Sequence, residues 1–187
     1  ASGFTGQYFL SAANNAGYRC VAITRQKGFL VPGAHDTLVA DIQKADALGL
    51  AIKNASPDYI VHLAAISFAA HGNTSEIYQV NQIGTINLLD AIRRYAPNLD
   101  KVIVSSSAHI YGNATDLPIT EASPRMPVSH YGTSKYAMEL VSQMYSDLPI
   151  IITRPFNYTG KGQNPSFLIP KMVAAFIAKQ KQIELGN

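Results

Sequence analysis

The sequence has no tryptophan and a single cysteine, Cys20. One thiol can form no disulfide within the chain, which fits a reducing, cytoplasmic compartment. Cys20 opens an apolar run and reads as a small apolar strand residue rather than a reactive thiol. Charge is sparse: Asp, Glu, Lys and Arg make up 14% of the 187 residues, and the formal net charge is only +3. A pI near 9.0 permits contact with anionic ligands. There is no basic stripe of the kind that tracks a nucleic-acid backbone, so no nucleic-acid partner is expected. The densest pair, Lys179 with Lys181, reads as a solvated helix end. No apolar run approaches the ~18 residues of a membrane span, and no signal peptide is visible, so no membrane partner is expected. The five histidines, at 35, 62, 71, 109 and 130, lack metal-ligand spacing, and no metal is expected.

What is present is apolar. Hydrophobic residues reach 47%, enough for a sizeable core, and the length suits one domain at ~150 residues per domain. Strand-like and helix-like segments alternate. "CVAIT" (20–24), "LVADI" (38–42), "YIVHLAA" (59–65), "KVIVSSS" (101–107) and "PIIITRP" (149–155) read as buried strands, apolar on both faces. Helical stretches are expected over 4–17, 44–55, 76–96, 131–147 and 167–180, the first ending at a glycine suited to a C′ position. Strict alternation implies βαβ units and a doubly wound parallel α/β sheet of the Rossmann type. The long loop 112–128 is the place where such folds border a site. The chain opens on "ASGFTG" with no strand before it and closes on "IELGN", a strand-like start. Residues 1–187 therefore read as one domain, a fragment of a longer chain lacking its first strand.

Gly3 and Gly6 precede the first helix. Glycines let a backbone approach a phosphate, and a helix start offers free N–H groups and a positive dipole end. Arg25 follows the strand 20–24, where an acid would bind a ribose 2′-hydroxyl and an arginine accommodates a 2′-phosphate. A solvated loop arginine is the alternative. Asp41 could accept from an adenine amine or stand as a helix N-terminal acid. Tyr131 and Lys135 are four apart and share a helix face. A phenol titrates near ~10, too high for proton transfer at neutral pH, and a nearby ammonium lowers that value. Lysine can also reach a nucleotide ribose. The serines of "VSSSAHIYG", at the C-terminal end of the strand 101–105, could hydrogen-bond a substrate oxygen or merely cap the strand.

Together with "GFTG" (3–6), "HLAA" (62–65), "VNQIGTINLLDA" (80–91), "SSSAHIYG" (105–112), "YGTSK" (131–135) and "RPFNYTGKGQ" (154–163), the chain resembles the extended short-chain dehydrogenase/reductases. Within them it is similar to the NAD-dependent epimerase/dehydratase group acting on nucleotide sugars. These segments span nearly the whole chain, and the resemblance implies that residues 1–187 are an NAD(P)-binding domain of the Rossmann type that lacks the C-terminal substrate-binding part. The resemblance implies Ser107 as the hydroxyl partner, four positions before Tyr111 of the Tyr-Gly pair. It implies Tyr131 as the acid–base, with Lys135 as its tuner and the ribose anchor. Gly3, Phe4, Thr5, Gly6, Arg25, Asp41, Ile42, Leu63, Ala64, Ala65, Ser105 and Pro155 are then expected around NADP(H) or NAD(H). Ser67, Ser107 and Asn157 are expected toward the nucleotide-sugar substrate, Asn81 near the site, and His71 at its border. Relatives of this kind commonly form homodimers through the helices equivalent to 76–96 and 131–147.

The resemblance implies three chemistries, all beginning with hydride exchange at sugar C4: 4-epimerisation, 4,6-dehydration and reduction of a 4-keto sugar. Dehydratases commonly carry an acidic residue just after the Ser/Thr. Here Ala108 and His109 follow, which counts against that reaction. The "GFTGQYF" and "RPFNYTGKGQNPSFLIPKM" stretches are most similar to GDP-4-keto-6-deoxy-mannose reductases. The alternatives are a 4-epimerase holding NAD tightly and a non-catalytic nucleotide-binding relative; intact Tyr131 and Lys135 count against the latter.

Overall fold

The computed structural model describes residues 1–67 and 73–184. The chain divides into two compact units, Ala1–Phe156 and Asn157–Asn187.

In the first unit helix and strand alternate as the sequence predicts: α1 (Phe4–Asn15), β1 (Val21–Thr24), β2 (Asp36–Val39), α2 (Ala45–Ala55) and β3 (Tyr59–His62). Then come α3 (Thr74–Tyr78), α4 (Gly84–Tyr95), β4 (Lys101–Ser105), α5 (His130–Ser142) and β5 (Ile150–Thr153). Every strand pairing is parallel. Among the described residues the strands form two sheets, β1–β2 and β3–β4–β5 with β4 in the middle. This is the Rossmann-type parallel α/β class. Cys20 lies just before β1 and packs against the small cluster of Leu10, Ala22 and Val31.

Most elements end a few residues away from the sequence reading, α5 at Ser142 rather than 147, and three further differences stand out. The second strand is Asp36–Val39 rather than 38–42, because it is in register with Val21–Thr24. After the last rung, Ala40 N–H to the Thr24 carbonyl, the Asp41 carboxylate accepts from the Gln43 N–H at 3.0 Å and turns the chain into α2. The third strand stops at His62, the last residue in register with β4, and further on both backbone groups of Ile66 are taken by one side chain, that of Asn81. The expected helix 76–96 is broken into α3, a wide π turn at Gln79–Ile83, and α4. Ile183 and Glu184 of the closing stretch form no strand.

Coverage of the sheet also differs from expectation. In the three-stranded sheet the central β4 is the most enclosed, with Val102 and Val104 fully buried. β5 alternates, and Ile151 is exposed. Parallel strands read as apolar runs because helices usually cover both faces, and here β2, β3 and β5 each keep exposed residues. α2 and α4 pack together over this core through Leu48, Ala51, Ile52, Leu88, Leu89 and Ile92, each large side chain stabilising the fold by roughly 1.5–3 kcal/mol.

The second unit contains α6 (Leu168–Ile177). Its Pro170 sits in the first turn, where a missing N–H removes no helical bond. Lys171 reaches the Glu184 carbonyl with its ammonium. No helix among the described residues is long and apolar enough to cross a membrane.

Candidate active site

The site is built from the C-terminal end of β4 outward. The Ser105 carbonyl accepts from Lys135 Nζ at 2.5 Å. Ser106 continues the sheet by donating its N–H to the Thr153 carbonyl at 2.7 Å. Ser107 is buried and its hydroxyl accepts from the His109 N–H, so it starts the short 3₁₀ turn Ala108–Tyr111. Ala108 N–H bonds the Pro155 carbonyl, which ties that turn to the residues after β5.

α5 begins at Ser129, whose hydroxyl accepts from the Gly132 N–H, as an N-cap should. Tyr131 and Lys135 then fall on its buried face. Two glycines let this helix approach the turn. A Cβ on Gly132 would lie 2.7 Å from the His109 carbonyl oxygen. Gly112, at φ +60°, leaves room for the Met126 carbonyl, which would stand 1.9 Å from a Cβ there. Each "Tyr-Gly" pair thus owes its glycine to contact with a neighbouring backbone. His109 is exposed, and its ring meets that of Tyr131 edge-on at 5.5 Å.

Burial pushes the Lys135 ammonium down to about 8, against a pull upward from the Glu139 carboxylate. It also pushes His62 down to about 3, with the Lys135 charge adding to the effect. His62 is therefore neutral. Thr85 Oγ1 donates to the Asn81 carbonyl at 2.7 Å, so in the 2.9 Å bond between His62 Nε2 and Thr85 Oγ1 the imidazole is the donor.

Asn81 is fully buried within the π turn. The extra residue in that turn aims its amide inward, as π turns often do near functional sites. Asn81 Oδ1 accepts from Ile66 N–H at 2.8 Å, and Nδ2 donates to the Ile66 carbonyl at 3.1 Å and to Ser134 Oγ at 3.0 Å. Ser134 donates in turn to the Tyr131 carbonyl. One side chain thereby bolts the segment holding Leu63, Ala64, Ala65 and Ser67 to the first turn of α5.

The structure brings Ser105, Ser107, Tyr131, Lys135 and Pro155 together. At the front edge, Gly3 caps α1 in an extended conformation and Gly6 is buried beneath Ala1. Phe4 packs edge-on against Tyr8, and Thr5 lies in the same first turn. α1 has neither a side-chain cap nor an acidic residue in its first turn, so its own first-turn side chains do not offset the positive end of the helix. Arg25 stands exposed just past β1, without a hydrogen bond or ion pair among the described residues. Ile42 packs on Gly84 and its carbonyl accepts from Asn87. Asn157 belongs to the second unit, and His71 lies outside the described residues. Among the described residues no three His, Cys, Asp or Glu side chains gather as metal ligands would.

Sequence reasoning missed His62, Thr85, Ser134, Glu139 and Arg154. Their signal was polarity at positions that periodicity makes inward-facing, such as Thr85 and Ser134 amid apolar helix residues.

A parallel α/β scaffold with a glycine-led first helix, and with Ser, Tyr and Lys converging at a strand end, defines a nucleotide-binding class. Within it, the chain belongs to the NAD dependent epimerase/dehydratase family, whose profile matches residues 1–187. It is 39% identical over 173 residues to the GDP-6-deoxy-D-talose 4-dehydrogenase of Aggregatibacter actinomycetemcomitans, covering 91% of this chain and 59% of that protein. A crystal structure from Burkholderia cenocepacia J2315 superposes with a TM-score of 0.89 at 38% identity, over 100% of this chain and 61% of the other. MoeE5 in complex with UDP-glucose and NAD gives 0.82 at 26% identity, over 96% and 60%. More distant relatives bear the names UDP-glucose 4-epimerase, dTDP-D-glucose 4,6-dehydratase and GDP-6-deoxy-D-mannose reductase. The chain spans about 60% of the length of the talose 4-dehydrogenase and of the Burkholderia protein.

Proposed function

We propose that this chain is the cofactor-binding and proton-transfer part of an NAD(P)-dependent enzyme acting at C4 of a nucleotide sugar, reducing a GDP-4-keto-6-deoxy-hexose. The observation that carries the reading is the buried stripe of Tyr131 and Lys135 beside Ser107, with Lys135 held to the Ser105 carbonyl at the ligand-binding end of the sheet. The name of the talose 4-dehydrogenase relative favours this chemistry.

When bound, the nicotinamide supplies or accepts the hydride. Gly3, Phe4, Thr5 and Gly6 at the start of α1, Arg25, Asp41 and Ile42 after the next strands, and Leu63, Ala64 and Ala65 after β3 would hold the dinucleotide. Ser105, Lys135 and Pro155 would flank its nicotinamide half. Arg25 favours NADP(H) over NAD(H), through charge pairing with a 2′-phosphate. Ser107 donates a hydrogen bond to the sugar C4 oxygen. Tyr131 gives that oxygen its phenolic proton as the C4 carbon becomes sp³, and Lys135 stabilises the phenolate left behind. Ser67 and Asn157 are carried over from the family resemblance as contacts to the sugar nucleotide. The enzyme acts in the cytoplasm as a homodimer, and the exposed Leu140 and Met144, one turn apart, suit such a contact.

The test uses the full-length protein with NADPH or NADH and a GDP-4-keto-6-deoxy-hexose, following nicotinamide absorbance. Stoichiometric loss, reduced by ~10²–10⁴ in Tyr131→Phe, is expected. Interconversion of 4-epimers without net loss would establish instead the epimerase reading, which the name of the UDP-glucose 4-epimerase relative favours.

A further inference from the structure

Glu139 lies one turn beyond Lys135 on α5, and its side chain is 1% exposed. Tyr131, Lys135 and Glu139, at i, i+4 and i+8, form one buried row. Arg154, at the end of β5, grips the carboxylate with both arms. Its Nε donates to Oε1 at 2.9 Å and its Nη2 to Oε2 at 2.8 Å. The remaining arm, Nη1, donates to the Tyr111 hydroxyl at 2.9 Å and to the Glu121 carbonyl at 3.0 Å. A buried ion pair is weak as a stabilising device, since apolar residues of the same volume commonly serve as well or better. This carboxylate therefore calls for another role, and its position between two cations supplies one.

We propose that Glu139, clamped by Arg154, is a positioning residue that holds Lys135 in its ammonium form and through it sets the proton affinity of the Tyr131 phenol. The proposal rests on the reading of Tyr131 as the proton donor. Among the described residues, these charged or titratable groups face the row. Lys135 is faced by neutral His62 from β3, and Tyr131 by His109 from the 3₁₀ turn. Arg154 faces Glu139 from the end of β5, and at the start of α5 Tyr78 bonds His130. Of these only the Glu139 carboxylate favours the ammonium of Lys135, which burial opposes. Glu139 lies about 12 Å of helix rise from Tyr131 but about 6 Å from Lys135. Its effect on the phenol thus runs mainly through the lysine.

The test is the phenolate absorbance titration of the full-length protein without substrate, each variant referenced to its own Tyr131→Phe form. It reads Tyr131 whether or not the assigned reaction is correct. Glu139→Gln, nearly the same in shape, is expected to raise the Tyr131 midpoint by about 1 pH unit. Glu139→Asp keeps the charge and should restore most of that shift. Tyr111→Phe removes a strut from Arg154 without altering any charge, and should leave the midpoint in place. An unmoved midpoint in Glu139→Gln, or equal shifts in Glu139→Gln and Tyr111→Phe, would overturn the proposal. Should Glu139→Gln fail to fold, NMR titration of the unaltered protein decides, with the Lys135 signal assigned by its loss in Lys135→Met. The Lys135 and Tyr131 titrations must be coupled, each midpoint displaced by the ionisation of the other group; two independent titrations overturn the proposal.

Discussion

Replacing Lys135 by Met should make the protein more stable and inactive at once. Lys135 is almost completely buried, and its proton affinity falls from the ordinary 10.5 to about 8. At 1.36 kcal/mol per pH unit, holding it charged in the fold costs about 3 kcal/mol at neutral pH. Methionine removes that burden with a side chain of similar length. It also leaves the Ser105 carbonyl without its donor, a loss of about 1–3 kcal/mol. The net expectation is a gain of about 1 kcal/mol, read by urea denaturation at pH 7. The pH dependence gives a sharper reading. Between pH 8 and 10.5 the unfolded chain binds the lysine proton and the folded one does not, so the stability of the unaltered protein rises with pH across that window. Subtracting the Lys135→Met curve cancels other groups and should leave a rising difference of about 3 kcal/mol. A flat difference, or a Met variant less stable by more than about 1 kcal/mol at pH 7, would refute the account of Lys135 as a buried, destabilising cation.

Other perturbations follow from the same geometry. His62 is pushed from 6.5 down to about 3, so the unfolded chain binds a proton between those values that the fold refuses. Stability should fall by about 5 kcal/mol as pH drops through that window, and His62→Asn should lack this part of the acid loss in calorimetric scans. Asn81→Ala strips the three hydrogen bonds of a buried amide, and denaturant midpoints should register a loss of about 2–4 kcal/mol. Gly132→Ala forces a Cβ against the His109 carbonyl; a loss of about 1–3 kcal/mol is expected, with turnover falling more than cofactor affinity because the Ser107 turn is pushed from Tyr131.

The order of helices and strands was legible because each follows a strong local cause: apolar runs for β4 and β5, and glycine or proline stops for α1, α2 and α4. The pairing of Tyr131 with Lys135 was legible because helix geometry turns a spacing of four into a shared face. The displaced second strand was not, since register with β1 rather than local composition chose Asp36–Val39. Nor was the π turn at Asn81, because a helix that gains a residue in one turn keeps an ordinary helical composition. The Glu139–Arg154 clamp joins residues fifteen apart in sequence through the meeting of α5 and β5, and no periodicity within either element announces it.

The division of the strands into two sheets bears on the chain's behaviour in concentrated solution. Among the described residues β1, β2, β3 and β5 each carry one edge with no strand beside it, and a bare edge is a row of unpaired N–H and C=O groups that can template another chain. β5 adds an apolar side chain, Ile151, on an open face. Expressed as residues 1–187 alone, the protein should associate edge to edge as concentration rises. Light scattering would register that growth, and a lysine placed at Ile151 should slow it.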